Sequence, residues 1–164
     1  MTITLTTFDE VPEFAQGYVR DFRIRWTLEE LGLPYQVDTV PGEEKTAQHL
    51  ARQPFGQVPM IRDGDLSLFE TGAILLYLTE GTALKPAGRD GALVLQWVIA
   101  ALNSVEPFVM QWATALFFDQ DQAAADKIKP MVRQRLSALQ TALGDRDWLV
   151  GDSFTVADLL LAEI

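Results

Sequence analysis

The chain has 164 residues, 48% hydrophobic and 22% charged, the profile of a globular protein with room for one large domain or two small ones. A formal net charge of −10 repels phosphate backbones, so nucleic-acid binding is not expected; the best basic cluster, Arg20, Arg23 and Arg25, is diluted by Asp21, Glu29 and Glu30. The absence of cysteine excludes disulfides, thiolate metal sites and a protein thiol nucleophile, and a single histidine excludes a multi-histidine metal centre.

The apolar runs are interrupted by polar residues, so no membrane span is expected. The start MTITLTTFDE has neither a basic n-region nor a long apolar h-region, and the default expectation is a cytoplasmic protein. Ile3 to Phe8 (ITLTTF) alternates β-branched and apolar residues and reads as a strand. A long polar loop follows. From Tyr18 to Leu31 the residues Val19, Phe22, Trp26 and Leu31 recur near helical spacing, with Ile24 and Leu28 widening the face; Gly32 and Pro34 end the helix. Tyr35 to Val40 is a second strand, and Lys45 to Ala51 a short helix on which His49 is expected to be exposed.

Val58 to Arg62 and Leu66 to Phe69 are two short strands, with Asp63-Gly64 signalling a tight hairpin between them. Glu70 opens a helix to about Thr79 whose apolar side carries Ile74, Leu75 and Leu78. The order β-α-β-α-β-β-α makes a small mixed sheet with helices packed on it, over residues 1–80. Residues 81–90 (GTALKPAGRD) mix Gly, Pro and charge and read as a linker, and residues 91–164 are wholly helical in pattern. One helix is expected from Ala92 to about Phe118 with a kink or break at Pro107, and another from Ala123 to Leu143 across Pro130. In GDSFTVADLLLAEI, Thr155 and Asp158 form a capping-box variant that Phe154 and Leu159 are placed to staple. A helix so announced should run on, so the helical domain is expected to be incomplete and the chain a truncated form.

The segment PFGQVPMIRDGDLSLFETGAILLYL (Pro54 to Leu78) closely resembles the glutathione-binding half of the glutathione S-transferase superfamily. RDFRIRWTLEELGLPYQV (Arg20 to Val37) is similar to that family's first helix and second strand, and the Thr155/Asp158 box to the start of its central buried helix. The resemblance implies an α/β thioredoxin-like domain followed by an all-α domain, with glutathione as co-substrate, no metal, and a two-fold homodimer. It also implies a cis bond before Pro59, which would offer the N–H and C=O of Val58 to a tripeptide as a sheet edge does; on pattern alone a trans proline opening an edge strand fits equally well. Glu70 would then take the γ-glutamyl ammonium, Thr71 the carboxylate at a helix N-terminus, and Gln57 a further contact. An acidic residue in a first helical turn has an ordinary structural reading as well.

Conjugation needs the glutathione thiol as thiolate. Lowering a thiol pKa from about 8.5 to about 6.5 takes roughly 2.7 kcal/mol, which one hydrogen bond of about 1.5–3 kcal/mol plus a helix N-terminus supplies. Tyr-type members of the family carry a donor where this chain has Phe8, with Thr7 beside it, and Ser-type members carry one near Tyr18. Tyr18 is equally readable as an aromatic anchor. Nine residues separate Phe8 from Tyr18, among them Asp9, Glu10 and Glu13. The expected function is therefore a glutathione transferase-like enzyme acting on a small apolar electrophile in detoxification, with Tyr18 and Thr7 as candidate catalytic residues and Gln57, Val58, Pro59, Glu70 and Thr71 as glutathione ligands. The alternative is a non-catalytic glutathione-binding or protein-interaction module; a glutathione-dependent isomerase is the third reading.

Overall fold

A computed structural model describes residues 2–164, the side chain of Phe14 excepted. The chain divides into two compact units, Met1–Glu80 and Gly81–Ile164.

The first unit is built on a four-stranded sheet in the order β2-β1-β3-β4, from β1 (Ile3–Phe8), β2 (Tyr35–Val40), β3 (Met60–Asp63) and β4 (Leu66–Phe69). β1 lies parallel to β2 and antiparallel to β3, and β3 forms a hairpin with β4. Asp63 pairs with Leu66, so the central turn residues are Gly64 and Asp65 rather than Asp63 and Gly64; the positive φ of 58° falls on Gly64, where no Cβ opposes it. The helices are α1 (Asp21–Glu30), α2 (Ala47–Arg52) and α3 (Thr71–Thr79). α1 and α3 pack on each other, and the buried residues Ile3, Leu5, Ile24, Leu28, Met60, Ile61, Ile74, Leu75 and Leu78 form the core. Each such side chain contributes roughly 1.5–3 kcal/mol on burial. β1 alternates: Thr6 accepts from Arg52 Nη2 at 3.0 Å and Phe8 lies under Lys45, so Ile3, Leu5 and Thr7 point to the opposite face.

α1 is shorter than the apolar spacing predicts, and its buried stripe is different. Asp21, Arg23, Ile24, Thr27 and Leu28 are buried, while Phe22 is 49% exposed. Asp21 meets Arg25 Nε at 2.8 Å and Thr27 Oγ1 donates to the Arg23 carbonyl, so the polar members of the stripe bring their own partners. Burial of the Arg25 guanidinium works against its charge, but Asp21 and Tyr35 outweigh it and hold its pKa above the ordinary arginine value. Tyr77 Oη donates to Asp63 at 2.9 Å, tying α3 to the hairpin, and that bond holds the phenol above its usual pKa.

In the second unit α4 (Gly88–Ala100) begins inside the stretch expected to be a linker. A Cβ on Gly91 would collide with the Pro86 carbonyl oxygen, so this glycine lets the incoming chain lie against the first turn of the helix. Pro107 does not break the helix that follows. A wide π turn at Ala101–Val105 leads into α5 (Glu106–Ala113) with Pro107 in its first turn, where its missing N–H costs least, and a second π turn spans Thr114–Phe118. The whole run Gly88–Phe118, 31 residues, is long and apolar enough by length and composition to cross a membrane, which corrects the reading from interrupted apolar runs. Gln96, Asn103 and Ser104 break the run of letters without adding charge. Within the fold this helix carries the buried residues Val94, Val98, Ala101, Val105 and Ala115.

α6 (Gln122–Leu143) continues through Pro130 and is closed by Arg146, which donates to the carbonyls of Ala142, Leu143 and Leu149. α7 (Val156–Ala162) starts at the capping box. Asp158 Oδ2 accepts from the Thr155 N–H at 2.8 Å and its Oγ1 at 2.7 Å, and Oδ1 accepts from the Leu149 N–H at 2.9 Å. Phe154 packs edge-on against Trp148 at 5.3 Å, and Leu159 is fully buried. One carboxylate thus fixes both the start of α7 and the loop before it. Asp158→Ala is expected to cost the helical unit about 2–3 kcal/mol, since it removes a cap and strands a second donor; urea unfolding followed by tryptophan fluorescence measures it, and a loss below 0.5 kcal/mol (roughly a bare surface change) would refute this role.

Candidate functional site

The sheet register brings the sequence-predicted residues to one end of the first unit. Thr6 pairs with Met60 and Met60 with Phe69, so the C-terminal end of β1, the segment entering β3 and the C-terminal end of β4 lie side by side. Val40 pairs with Phe8 and brings the end of β2 to the same place. At these ends stand Thr7 and Phe8, the last residues of β1, and just outside β3 and β4 the Gln57-Val58-Pro59 segment and Glu70 with Thr71.

The Val58–Pro59 peptide is cis, as the resemblance implies. Pro59 is buried, Val58 half-buried, and the Gln57 side chain exposed. The loop before them is tied down locally: buried Gln53 accepts from the Phe55 N–H through Oε1 at 2.6 Å and from the Gly56 N–H through its carbonyl at 3.0 Å. Gly56 has φ 64° and lies against the Lys45 side chain. Phe55, 68% exposed, meets Phe69 edge-on at 6.2 Å.

His49 departs from expectation. It is 3% exposed, and its Nε2 lies 3.0 Å from the Gln57 carbonyl oxygen. The Thr46 side chain accepts from the His49 N–H at 3.1 Å and so starts α2 at Ala47 rather than Lys45. Apolar periodicity carries no signal for a lone buried histidine, and the Thr46 cap was its only available marker.

Glu70 occupies the N-cap position of α3 with φ 69° and ψ 117°, a conformation rare for a residue with a side chain, and its own side chain does not cap the helix. It is exposed, and Thr71 after it is buried. α3 has no acidic residue in its first turn, whereas α1 carries Asp21 in its own. Of the two helices, α3 therefore presents the less compensated positive end.

At the end of β1 the candidate donors are spread out. Thr7 is 7% exposed and pairs with Thr39; the Phe8 ring lies 4.5 Å below Lys45 Nζ, which also donates to the carbonyls of Pro41 and Gly42. Tyr18 was expected at the start of the first helix, but that helix begins only at Asp21. A 3₁₀ turn at Glu13–Ala15 and Gly17 with φ 84° use up the intervening chain, and Tyr18 is 81% exposed with its N–H on the Ala15 carbonyl. Asp9, Glu10 and Glu13 all face water. Among the described residues, no group of three or more His, Asp or Glu side chains could hold a metal ion.

Two family models match the chain, the glutathione S-transferase N-terminal domain over residues 15–80 and the C-terminal domain over residues 105–164. Glutathione S-transferase 3 of Zea mays is 32% identical over 150 residues, covering 83% of this chain and 68% of that protein. The chain belongs to the glutathione S-transferase family. Glutathione S-transferase F14 of Arabidopsis thaliana is 34% identical over 80% of the chain, but the match takes in only 58% of that relative's length. The chain is likewise similar to the solved structure of Ure2p in complex with glutathione, with 25% identity and a TM-score of 0.83 over 99% of this chain and 82% of that one. The thioredoxin-like unit and the helical unit follow each other here as that family's two domains do.

Strain at Glu70 gives the site a measurable signature. Its backbone conformation costs about 1–3 kcal/mol, against the roughly 0.5–1 kcal/mol that a glycine loses in chain entropy. Glu70→Gly should therefore raise stability by about 1 kcal/mol in urea unfolding; a lowered midpoint would mean that the glutamate side chain itself stabilises the fold.

Proposed function

We propose that this glutathione S-transferase family member binds glutathione at the end of its sheet and uses the thiolate to attack a small hydrophobic electrophile. The observation that carries the reading is the start of α3. It has no side-chain cap and no acidic first turn, and the register places it beside the Val58–Pro59 segment. The γ-glutamyl carboxylate would take the Thr71 hydroxyl and N–H, and the exposed Glu70 carboxylate would take the ammonium. The extended cysteinyl part would pair with the main chain of Val58 as an added strand, with Gln57 alongside. Its sulfur would then face the end of β1.

Tyr18 is the proposed thiolate donor. It is exposed and within a short stretch of α1, so its phenol has room to turn toward the thiol. Thr7, on the core-facing side of β1, is the competing donor. Members of this fold also occur with Ser, Cys or Tyr donors at positions this chain fills otherwise, and the same resemblance extends to a cytoplasmic homodimer acting in detoxification.

A second reading, a glutathione-binding module without catalysis, is favoured by the distance of Tyr18 from the helix start and by the three carboxylates in the loop. Calorimetric titration with glutathione followed by a chromogenic aryl-halide assay separates the two. Under the first reading glutathione binds, the aryl halide is turned over, and Tyr18→Phe lowers kcat by about tenfold or more with Kd for glutathione nearly unchanged, as expected for one hydrogen bond to a charged group. Full activity in Tyr18→Phe together with loss in Thr7→Val moves the role to Thr7. Binding with no turnover of any electrophile establishes the module.

A further inference from the structure

We infer that His49 is a positioning residue that orients the Val58 N–H for ligand binding, an inference that rests on the glutathione reading of the site. His49 belongs to α2, apart from every residue assigned to the ligand, yet its ring is buried and its Nε2 lies 3.0 Å from the Gln57 carbonyl. Nδ1 is also buried and has no hydrogen-bond partner among the described residues. A carbonyl oxygen only accepts, so Nε2 carries the hydrogen. The contact therefore selects the Nε2–H tautomer over the Nδ1–H one.

The consequence follows from peptide geometry. The Gln57 carbonyl and the Val58 N–H belong to one planar unit and, in a trans peptide, point in opposite directions. The peptide bond that departs from trans here is the next one, Val58–Pro59. Fixing the Gln57 oxygen on His49 therefore turns the Val58 N–H away from α2. Without the imidazole, that plane would be free to rotate about the backbone dihedrals on either side. The loop's other internal bonds, from Gln53 to Phe55 and Gly56, end before this peptide and do not replace the contact.

Three measurements test it. His49 is the single histidine of the chain, so a long-range proton–nitrogen spectrum of the unmodified protein at pH 8 reports its tautomer without mutagenesis. The Nε2–H form is expected, and an Nδ1–H form overturns the proposal. In His49→Phe, which keeps the ring volume, the residual dipolar coupling of the Val58 N–H should change, while His49→Gln, whose amide can still donate, should restore it. An unchanged coupling in His49→Phe also overturns it. Glutathione affinity should fall about three- to tenfold in His49→Phe and stay within about twofold in His49→Gln, with kcat little altered, as for loss of one orienting hydrogen bond. If the unmodified protein does not bind glutathione, the ligand reading fails, while the tautomer and the dipolar coupling still decide the role of His49. Should His49→Phe fail to fold, the tautomer and the coupling in His49→Gln decide it.

Discussion

The antiparallel pairing of β1 with β3 is the constraint on which the rest of the first unit depends. β1 already has β2 as a parallel neighbour, a pairing that requires a crossover helix, and α1 is that helix. Adding β3 in the opposite sense through Thr6 and Met60 sends the entry to β3 to the same end of the sheet as the exit from β1. The hairpin then returns β4 to that end. Three segments that are far apart in sequence, around Phe8, Val58 and Glu70, are thereby brought to one end of the sheet before any side chain is considered. A one-residue slip of β3 would turn Met60 and Ile61 to the wrong faces, and both are essentially fully buried, so the core itself enforces the register that builds the site.

Electrostatics refine what the topology collects. The chain as a whole is acidic, and an anionic ligand must be drawn by a local field rather than by the net one. Asp21 lies buried in the first turn of α1, paired with Arg25, which gives that helix a compensating negative charge of its own. α3 has no such charge in its first turn, and Glu70 directly before it holds its carboxylate out in solvent. The two helix starts thus differ in what they can accept. Only the second combines uncompensated N–H groups with an adjacent acid suited to an ammonium, the pair of charges that an amino-acid terminus presents.

Most of the architecture was legible because its signals are local and apolar. ITLTTF and YQVDTV gave their strands to the residue, and the apolar side of α3 was recovered as Ile74, Leu75 and Leu78. The readings that failed involve residues whose partners lie elsewhere in the chain. The buried face of α1 includes Asp21 and Thr27, which no hydrophobic pattern would place inside, and the start of α1 was set by Gly17 and a 3₁₀ turn rather than by the apolar spacing. The kink or break expected at Pro107 is a π turn just before it, which the sequence does not announce. Of the candidate site, the cis bond before Pro59 and the helix start at Thr71 were legible through the Gly-x-Val-Pro and Glu-Thr segments. The burial of His49 was not, because one imidazole contributes nothing to periodicity and its partner is a main-chain carbonyl.

Under the glutathione reading, that carbonyl is the means by which a side chain the ligand never meets controls a main-chain donor. A peptide plane has one degree of orientation to lose, and a hydrogen bond to either end removes it for both. A contact to the N–H end would compete with the ligand for the same donor. A contact to the C=O end leaves the donor unoccupied and aims it. The buried imidazole of His49 is suited to this because Nε2 meets that carbonyl while Nδ1 makes no competing hydrogen bond among the described residues. The cost of keeping Nδ1 unpartnered away from water, about 1–3 kcal/mol for a buried polar group, is then offset, under the same reading, by order in the segment that would take the ligand.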